Sequence, residues 1–323
     1  MPARAGRPVP DLSRAVDTVV TRCLGIAPGE TVVVVGDPGS RDIAEGLREG
    51  AARAGADAVL AVMDERATDG TDPPPPVAAA IAAADCYLAP TTRSISHTPA
   101  RKAASDAGVR GATLPGVTAE MLARAMDVDL DLLAARSRAV AELLGEAGEA
   151  RLSCPLGTDL RLDLSGREGI ADDGDLTAAG AFGNLPCGEG FVSPAGGEGR
   201  VLASSLAPLG LPDAPVPLEV ADGALAAGHD AFGERFADLL DAHGPAGRNL
   251  AELGVGTNPS ATLTGNVLED EKILGTVHVA FGASAGIGGT VSVPIHLDVV
   301  VLDATLDVGG TRVLDAGRWA LGG

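Results

Sequence analysis

The sequence is poor in aromatic residues, with one Trp, one Tyr and five Phe in 323 residues. Few rings leave few platforms for stacking against nucleobases. Positive charge is also scarce: 24 Lys and Arg stand against 44 Asp and Glu, a formal charge of −20. A phosphate backbone is held by basic patches that release counterions, so nucleic acid is not an expected partner. The four cysteines, Cys23, Cys86, Cys154 and Cys187, stand far apart with no CxxC spacing. That spacing predicts reduced thiols rather than a disulfide frame or a cysteine zinc knot. No apolar run has the length of a membrane span, and no membrane partner is expected. Residues 1–10 (MPARAGRPVP) carry charge with no apolar segment behind them. A secretory leader is therefore not expected, and the cytoplasm is the expected location.

What is present is a globular composition, 46% hydrophobic and 21% charged, in a chain long enough for two domains. Apolar positions Leu12, Val16, Val19, Val20 and Cys23 suit one face of a helix, with Asp11 or Ser13 as cap. Thr31–Asp37 (TVVVVGD) is a β-branched run. A helix capped by Ser40 follows to about Ala54, and Asp57–Met63 is a second buried-type strand. Pro73 to Pro76 precede an Ala-rich helix, DCYLAP is a third strand, Pro99 to Ala107 a further helix and RGATLPG a further strand. Thr118 to about Ala147 reads as one helix. Strands alternating with helices predict a doubly wound parallel sheet, here spanning residues 1–148. The turn GDPGS lacks the GxGxxG fingerprint, so no dinucleotide is expected. Ser94, Ser96, His97 and Thr98 gather at the carboxyl end of the third strand. Open α/β sheets bind ligands at that edge, and hydroxyl residues also cap helices there for local reasons.

From Gly145 to Arg151 the pattern changes, and RLSCPLGTDLRLDLSG alternates with period two, as a hairpin does. A second, mixed α+β domain is expected over residues 149–323. Gly183 to Gly199 is dense in Gly and Pro and reads mostly as loop, with Glu189 between two glycines that let a backbone approach a ligand closely. Cys187 in that loop reads as a small space-filling residue. Asp230 to Ala242 is an amphipathic helix flanked by surface histidines His229 and His243, and NLAELGVGTNP sets Glu252 just before a glycine-rich turn.

The stretch richest in chemistry is Glu269 to Asp303. His278 lies in TVHVAFG and His296 in VSVPIHLDVVV, with Asp298 two residues on. In an extended chain residues i and i+2 share a face, so His296 and Asp298 point the same way. A glycine-rich link between the two runs is short enough to bring His278 onto the same sheet. Two histidines and a carboxylate fill three corners of a zinc, manganese or iron site.

NLPCGEGFVSP, AELGVGTNP, EDEKILGTVHVAFG and IHLDVVV, taken together, resemble the aminopeptidase T family of metallopeptidases in its shorter branch, across nearly the whole second domain. TTRSISHT in the first domain looks like the family too. The resemblance implies two divalent ions (zinc, cobalt or manganese) held by Glu189, Glu252, His278, His296 and Asp298, with Glu252 or Glu189 as bridging ligand or base. It further implies hydrolysis of an amide or N-terminal peptide bond, a small-molecule or peptide substrate with a free amine, and a homodimer. Two departures stand out: the family carries a tyrosine seven residues after the first histidine, where this chain has Ala285, and the segment from His278 to His296 is shorter. The same superfamily includes 2,5-dihydroxypyridine dioxygenase, which the His and HxD residues also resemble. That likeness implies a single Fe(II) and ring opening. A metal-binding protein without catalysis is the third reading.

Overall fold

The computed structural model describes residues 11–322, so the leader expectation for residues 1–10 lies outside the described residues. The chain divides into two compact units. One runs to Asp127 and takes in Asp175–Pro186; the other holds Val128–Gly174 and everything from Cys187 onward. This differs from a single cut near residue 148, because the chain crosses between the units three times.

In the first unit α1 (Ser13–Asp17) runs into wider π turns over Thr18–Cys23. β1 (Thr31–Gly36), α2 (Arg41–Arg53), β2 (Asp57–Val62), α3 (Pro75–Ala82), β3 (Cys86–Ala89), α4 (Pro99–Asp106), β4 (Arg110–Thr113) and α5 (Ala119–Ala125) follow in alternation. The expected parallel sheet forms, in the order β2-β1-β3-β4. β1 is central, and Val32 to Val35 are buried as a two-sided strand requires. β2 is the edge, which corrects its reading as a buried strand: Val59 and Val62 are 50% and 42% exposed.

The long helix expected from Thr118 to Ala147 breaks after α5. α6 (Leu130–Glu146) starts afresh where the Asp129 carboxylate accepts from the backbone N–H groups of Asp131 and Leu132, and it packs on strands of the second unit. β5 (Glu149–Ser153), β6 (Asp159–Asp163) and β7 (Gly169–Asp172) belong to that unit too, whereas β8 (Phe182–Asn184) returns to pair with β4.

The hydroxyl cluster of the first unit is satisfied locally. Thr98 accepts from Arg101 N and caps α4, while Ser96 Oγ lies 2.7 Å from Thr113 Oγ1 and donates to Asn184 Oδ1 at 3.2 Å. At the end of β1, Asp37 accepts from Thr92 N at 2.6 Å and Thr92 Oγ1 at 2.8 Å. Ser40, at the head of α2, turns its hydroxyl back to Asp37 instead of capping the helix.

The second unit continues with β9 (Glu189–Val192), β10 (Gly196–Ala203), β11 (Ser205–Leu206), β12 (Val216–Ala221), β13 (Ala224–Gly228), α7 (Ala231–Asp241), β14 (Leu250–Gly256), α8 (Val267–Asp270), β15 (Val277–Gly282), β16 (His296–Val301), β17 (Thr305–Val308), β18 (Thr311–Asp315) and β19 (Arg318–Trp319). Two antiparallel sheets result. One has eight strands in the order β13-β12-β10-β6-β5-β17-β18-β19, the other six in the order β11-β16-β15-β14-β9-β7. Inward residues of both sheets share one core, from Leu152, Leu162 and Val201 to Leu253, Val279 and Val299. α7 joins through Phe236, whose ring meets Phe281 edge-on at 6.0 Å. Alternate residues of the six-stranded sheet face away from this core.

Two expectations change here. Glu189 opens a strand and Glu252 sits inside one; Gly190, Gly254 and Gly256 beside them are strand residues that let neighbouring groups approach. None of the four cysteines forms a disulfide, as their spacing predicts. Among the described residues no helix is long and apolar enough to cross a membrane.

Candidate metal centre

Strand alternation brings the donors together. β14 pairs with β15 so that Glu252 faces Ala280 and Gly254 faces His278. β15 pairs with β16 so that Asp298 also faces Ala280, and His296 faces Gly282. Glu189 enters from β9 opposite Gly256. Because residues two apart share a face, the five sequence-identified residues all lie on the outer face of the sheet. The residues between them fill the core behind.

His278 Nε2 lies 3.3 Å from Glu189 Oε2 and 3.3 Å from Glu252 Oε1. His296 Nε2 lies 3.3 Å from the other Glu252 oxygen and 3.6 Å from Asp298 Oδ1. His296 Nδ1 donates to the Ala283 carbonyl at 2.8 Å, which fixes the ring and turns Nε2 toward the carboxylates. Glu189, Glu252, Asp298 and His278 are all buried.

Three further charged residues, which sequence reasoning passed over, complete the cluster. Lys272 Nζ lies 2.5 Å from Glu189 Oε1, 2.8 Å from Glu271 Oε1 and 3.4 Å from Asp172 Oδ2. Asp172 faces Glu189 across the β7–β9 pair. The one available clue was the charged run EDEK set directly before a buried strand. Its first two members are structural: Glu269 accepts from Thr262 N, and Asp270 from Thr264 N, Gly265 N and Ser205 Oγ.

Protonation follows from this crowding. Burial pushes the Glu189 carboxyl up to about 8, although Lys272 pulls against it. For Glu252 burial also pushes upward, but hydrogen bonds from His278 and His296 outweigh it and hold the carboxyl below its ordinary range. Burial alone would depress His278, yet the Glu252 hydrogen bond and the surrounding carboxylates raise it to about 9. His296 is raised well above its ordinary value against the same burial penalty, chiefly by Asp298.

These residues fit a divalent cation. Donor atoms of Glu189, Glu252 and His278 lie within 4.8 Å of one another, and so do those of Glu252, His296 and Asp298. Glu189 Oε2 is buried with no hydrogen-bond partner in the structure, and such an oxygen is costly to leave unpaired. Mixed imidazole and carboxylate donors suit zinc, manganese, cobalt or iron. The Cys187 thiol is in neither group. Ala285, where the resembling family has tyrosine, is an exposed residue opening a 3-10 turn.

A largely buried set of five imidazole and carboxylate donors on one sheet face, set in a mixed α/β fold, is the arrangement of a metal-binding enzyme. The chain belongs to the 2,5-dihydroxypyridine 5,6-dioxygenase (NicX) family, whose model matches residues 11–320. Among solved structures, 2,5-dihydroxypyridine dioxygenase from Pseudomonas putida KT2440 superposes with a TM-score of 0.82 at 19% identity, covering 96% of this chain and 97% of that one. Wild-type AmpT from Thermus thermophilus gives 0.69 at 20% identity, covering 96% and 100%. At these identities the two structures establish a shared fold. No curated protein sequence matches the chain. The aminopeptidase T resemblance thus holds at the level of the fold.

Proposed function

We propose that this centre holds two divalent cations and hydrolyses an amide or N-terminal peptide bond. The observation that carries the reading is the position of Glu252, whose two oxygens face different histidines and which belongs to both donor groups. A carboxylate so placed would serve a cation in each donor group. Charge agrees with it: the cluster holds five carboxylates, Asp172, Glu189, Glu252, Glu271 and Asp298, and one ammonium, Lys272. With neutral histidines four negative charges remain, the charge of two divalent cations.

When bound, such a pair polarises a carbonyl and acidifies water. The protein's own residues orient and move protons. His296, fixed by the Ala283 carbonyl, and Asp298 define one side of the centre. Glu189 presents Oε2 to His278 on the other side, while its Oε1 is held by Lys272. The acidic chain does nothing to repel a substrate carrying a free amine.

A second reading, a ring-opening dioxygenase with one Fe(II), is favoured by the family description. His278, His296 and Asp298 on one sheet face also form a two-histidine, one-carboxylate set, the donor type of non-haem iron oxygenases. Metal analysis and turnover separate the two. Two equivalents of metal, with cleavage of aminoacyl amides supported by cobalt, manganese or zinc, establish the hydrolase. One iron, with oxygen uptake on a hydroxylated pyridine and no amide cleavage, rejects it.

A further inference from the structure

Lys272 is the charged group at the centre that the proposed reaction leaves unused. Its side chain is 1% exposed, and its backbone is pinned on both sides: Lys272 N donates to the Glu269 carbonyl at 3.0 Å, and its own carbonyl accepts from Asn258 N at 2.8 Å. A Cβ at Gly256 would overlap the backbone of Lys272 and Ile273, so the bare glycine lets this segment lie against β14. The ammonium is therefore built into the sheet face rather than hung from the surface on a mobile stem.

Its partners make it asymmetric with respect to the two donor groups. Glu189 gives Oε1 to Lys272 and presents only Oε2 to His278. Asp172 and Glu271, the other carboxylates on the ammonium, belong to neither donor group. The group formed by Glu252, His296 and Asp298 has no residue paired with a lysine. A fixed positive charge repels a nearby cation, and in a buried setting that repulsion is little screened.

We propose that Lys272 is a positioning residue that ranks the two cation subsites. It fixes Glu189 as a one-oxygen ligand, and its charge makes the Glu189, Glu252 and His278 subsite the weaker one, filled second. The inference rests on the two-cation reading above.

The test is titration of the full-length, chelator-treated protein with Mn2+ by calorimetry, with metal counted after dialysis. Wild type takes up two equivalents with dissociation constants separated by about tenfold or more. Lys272→Met tightens the weaker site by about tenfold and leaves the stronger within about threefold, as expected when one unscreened charge is removed beside one subsite. Asp172→Asn, which removes a compensating negative charge, acts in the opposite direction and loosens the weaker site. A merely structural role would loosen it in both variants. Lys272→Arg keeps the charge and the wild-type ranking. Should Lys272→Met not be recovered soluble, Lys272→Met with Asp172→Asn removes one charge of each sign and gives a smaller tightening.

Wild type holding one cation where Lys272→Met holds two supports the ranking in its extreme form. If wild type binds two and neither Lys272→Met nor the double variant tightens the weaker site, the inference about Lys272 falls and the two-cation reading stands. If wild type and every Lys272 variant hold at most one, the two-cation reading falls and takes the inference with it.

Discussion

The imidazole of His278 lies against the bare Cα of Gly254: the two residues face each other across the β14–β15 pair, and a Cβ on Gly254 would overlap the ring. Gly254→Ala should therefore displace His278 or part the strands. The overlap should cost about 1–3 kcal/mol of stability, the usual range for overpacking, and at least one metal equivalent. Thermal denaturation and metal analysis check both. A variant that keeps full metal content would show that the ring has room to move.

Glu252 and Glu189 should separate by metal content. Glu252→Gln alters both donor groups and is expected to lose both cations, whereas Glu189→Gln alters one and should lose one. His278→Ala, His296→Ala and Asp298→Ala should each lower turnover by at least about two orders of magnitude, the scale of removing a group that stabilises developing charge. An active His296→Ala protein would end the metal-site assignment altogether.

Stability and metal uptake should depend on pH in opposite senses. In chelator-treated protein the folded state holds protons on Glu189 up to about 8 and on His278 up to about 9. An unfolded chain releases them near 4.5 and 6.5. The folded state thus binds more protons in between, and its stability falls as pH rises through that window. Divalent cations compete with those protons, so metal affinity rises with pH over the same range. Melting curves from pH 5 to 9, with and without Mn2+, should diverge, and parallel curves would contradict the assignment.

Cys187→Ala should leave metal content unchanged. The buried thiol stands outside both donor groups, and the residue's backbone carbonyl, which accepts from Asn258 Nδ2 at 3.0 Å, survives the substitution. Loss of a small packed side chain costs about 1 kcal/mol. Loss of a cation in this variant would make the thiol a ligand.

The first unit was legible because its central strands are written as short apolar runs between helices: Val32 to Val35 have no other reading at that length. The pair His296 and Asp298 was legible because a period of two is a local property. Glu189 and Glu252 were legible as candidate ligands only through resemblance, since glycine density argued for loops. The glycines beside them instead serve close packing, which depends on a neighbour elsewhere in the chain: Gly190 has the Ser137 carbonyl behind it and Gly254 has His278. Lys272 was invisible for the same reason, because it meets Glu189 across 83 positions. Where the chain passes from one unit to the other and back was also hidden, since β8 looks like any short segment until its pairing with β4 is known.

The six-stranded sheet has one consequence for how such a protein tolerates change. On β15, His278 and Ala280 face the donors while Val277, Val279 and Phe281 face the core. Deleting a single residue within this strand would exchange the two sets, driving an imidazole into hydrocarbon and a phenyl ring among carboxylates. The link from Ala283 to Ile295 is under no such parity rule; it is closed at its ends by the Ala283 to Ile295 backbone bond and the His296 to Ala283 contact, and its inner bonds run chiefly among its own residues, at Ser284 and Val291. Length variation should therefore collect in that link and be absent from the strands, so a library of random insertions and deletions scored for growth or solubility would map the sheet by its silence.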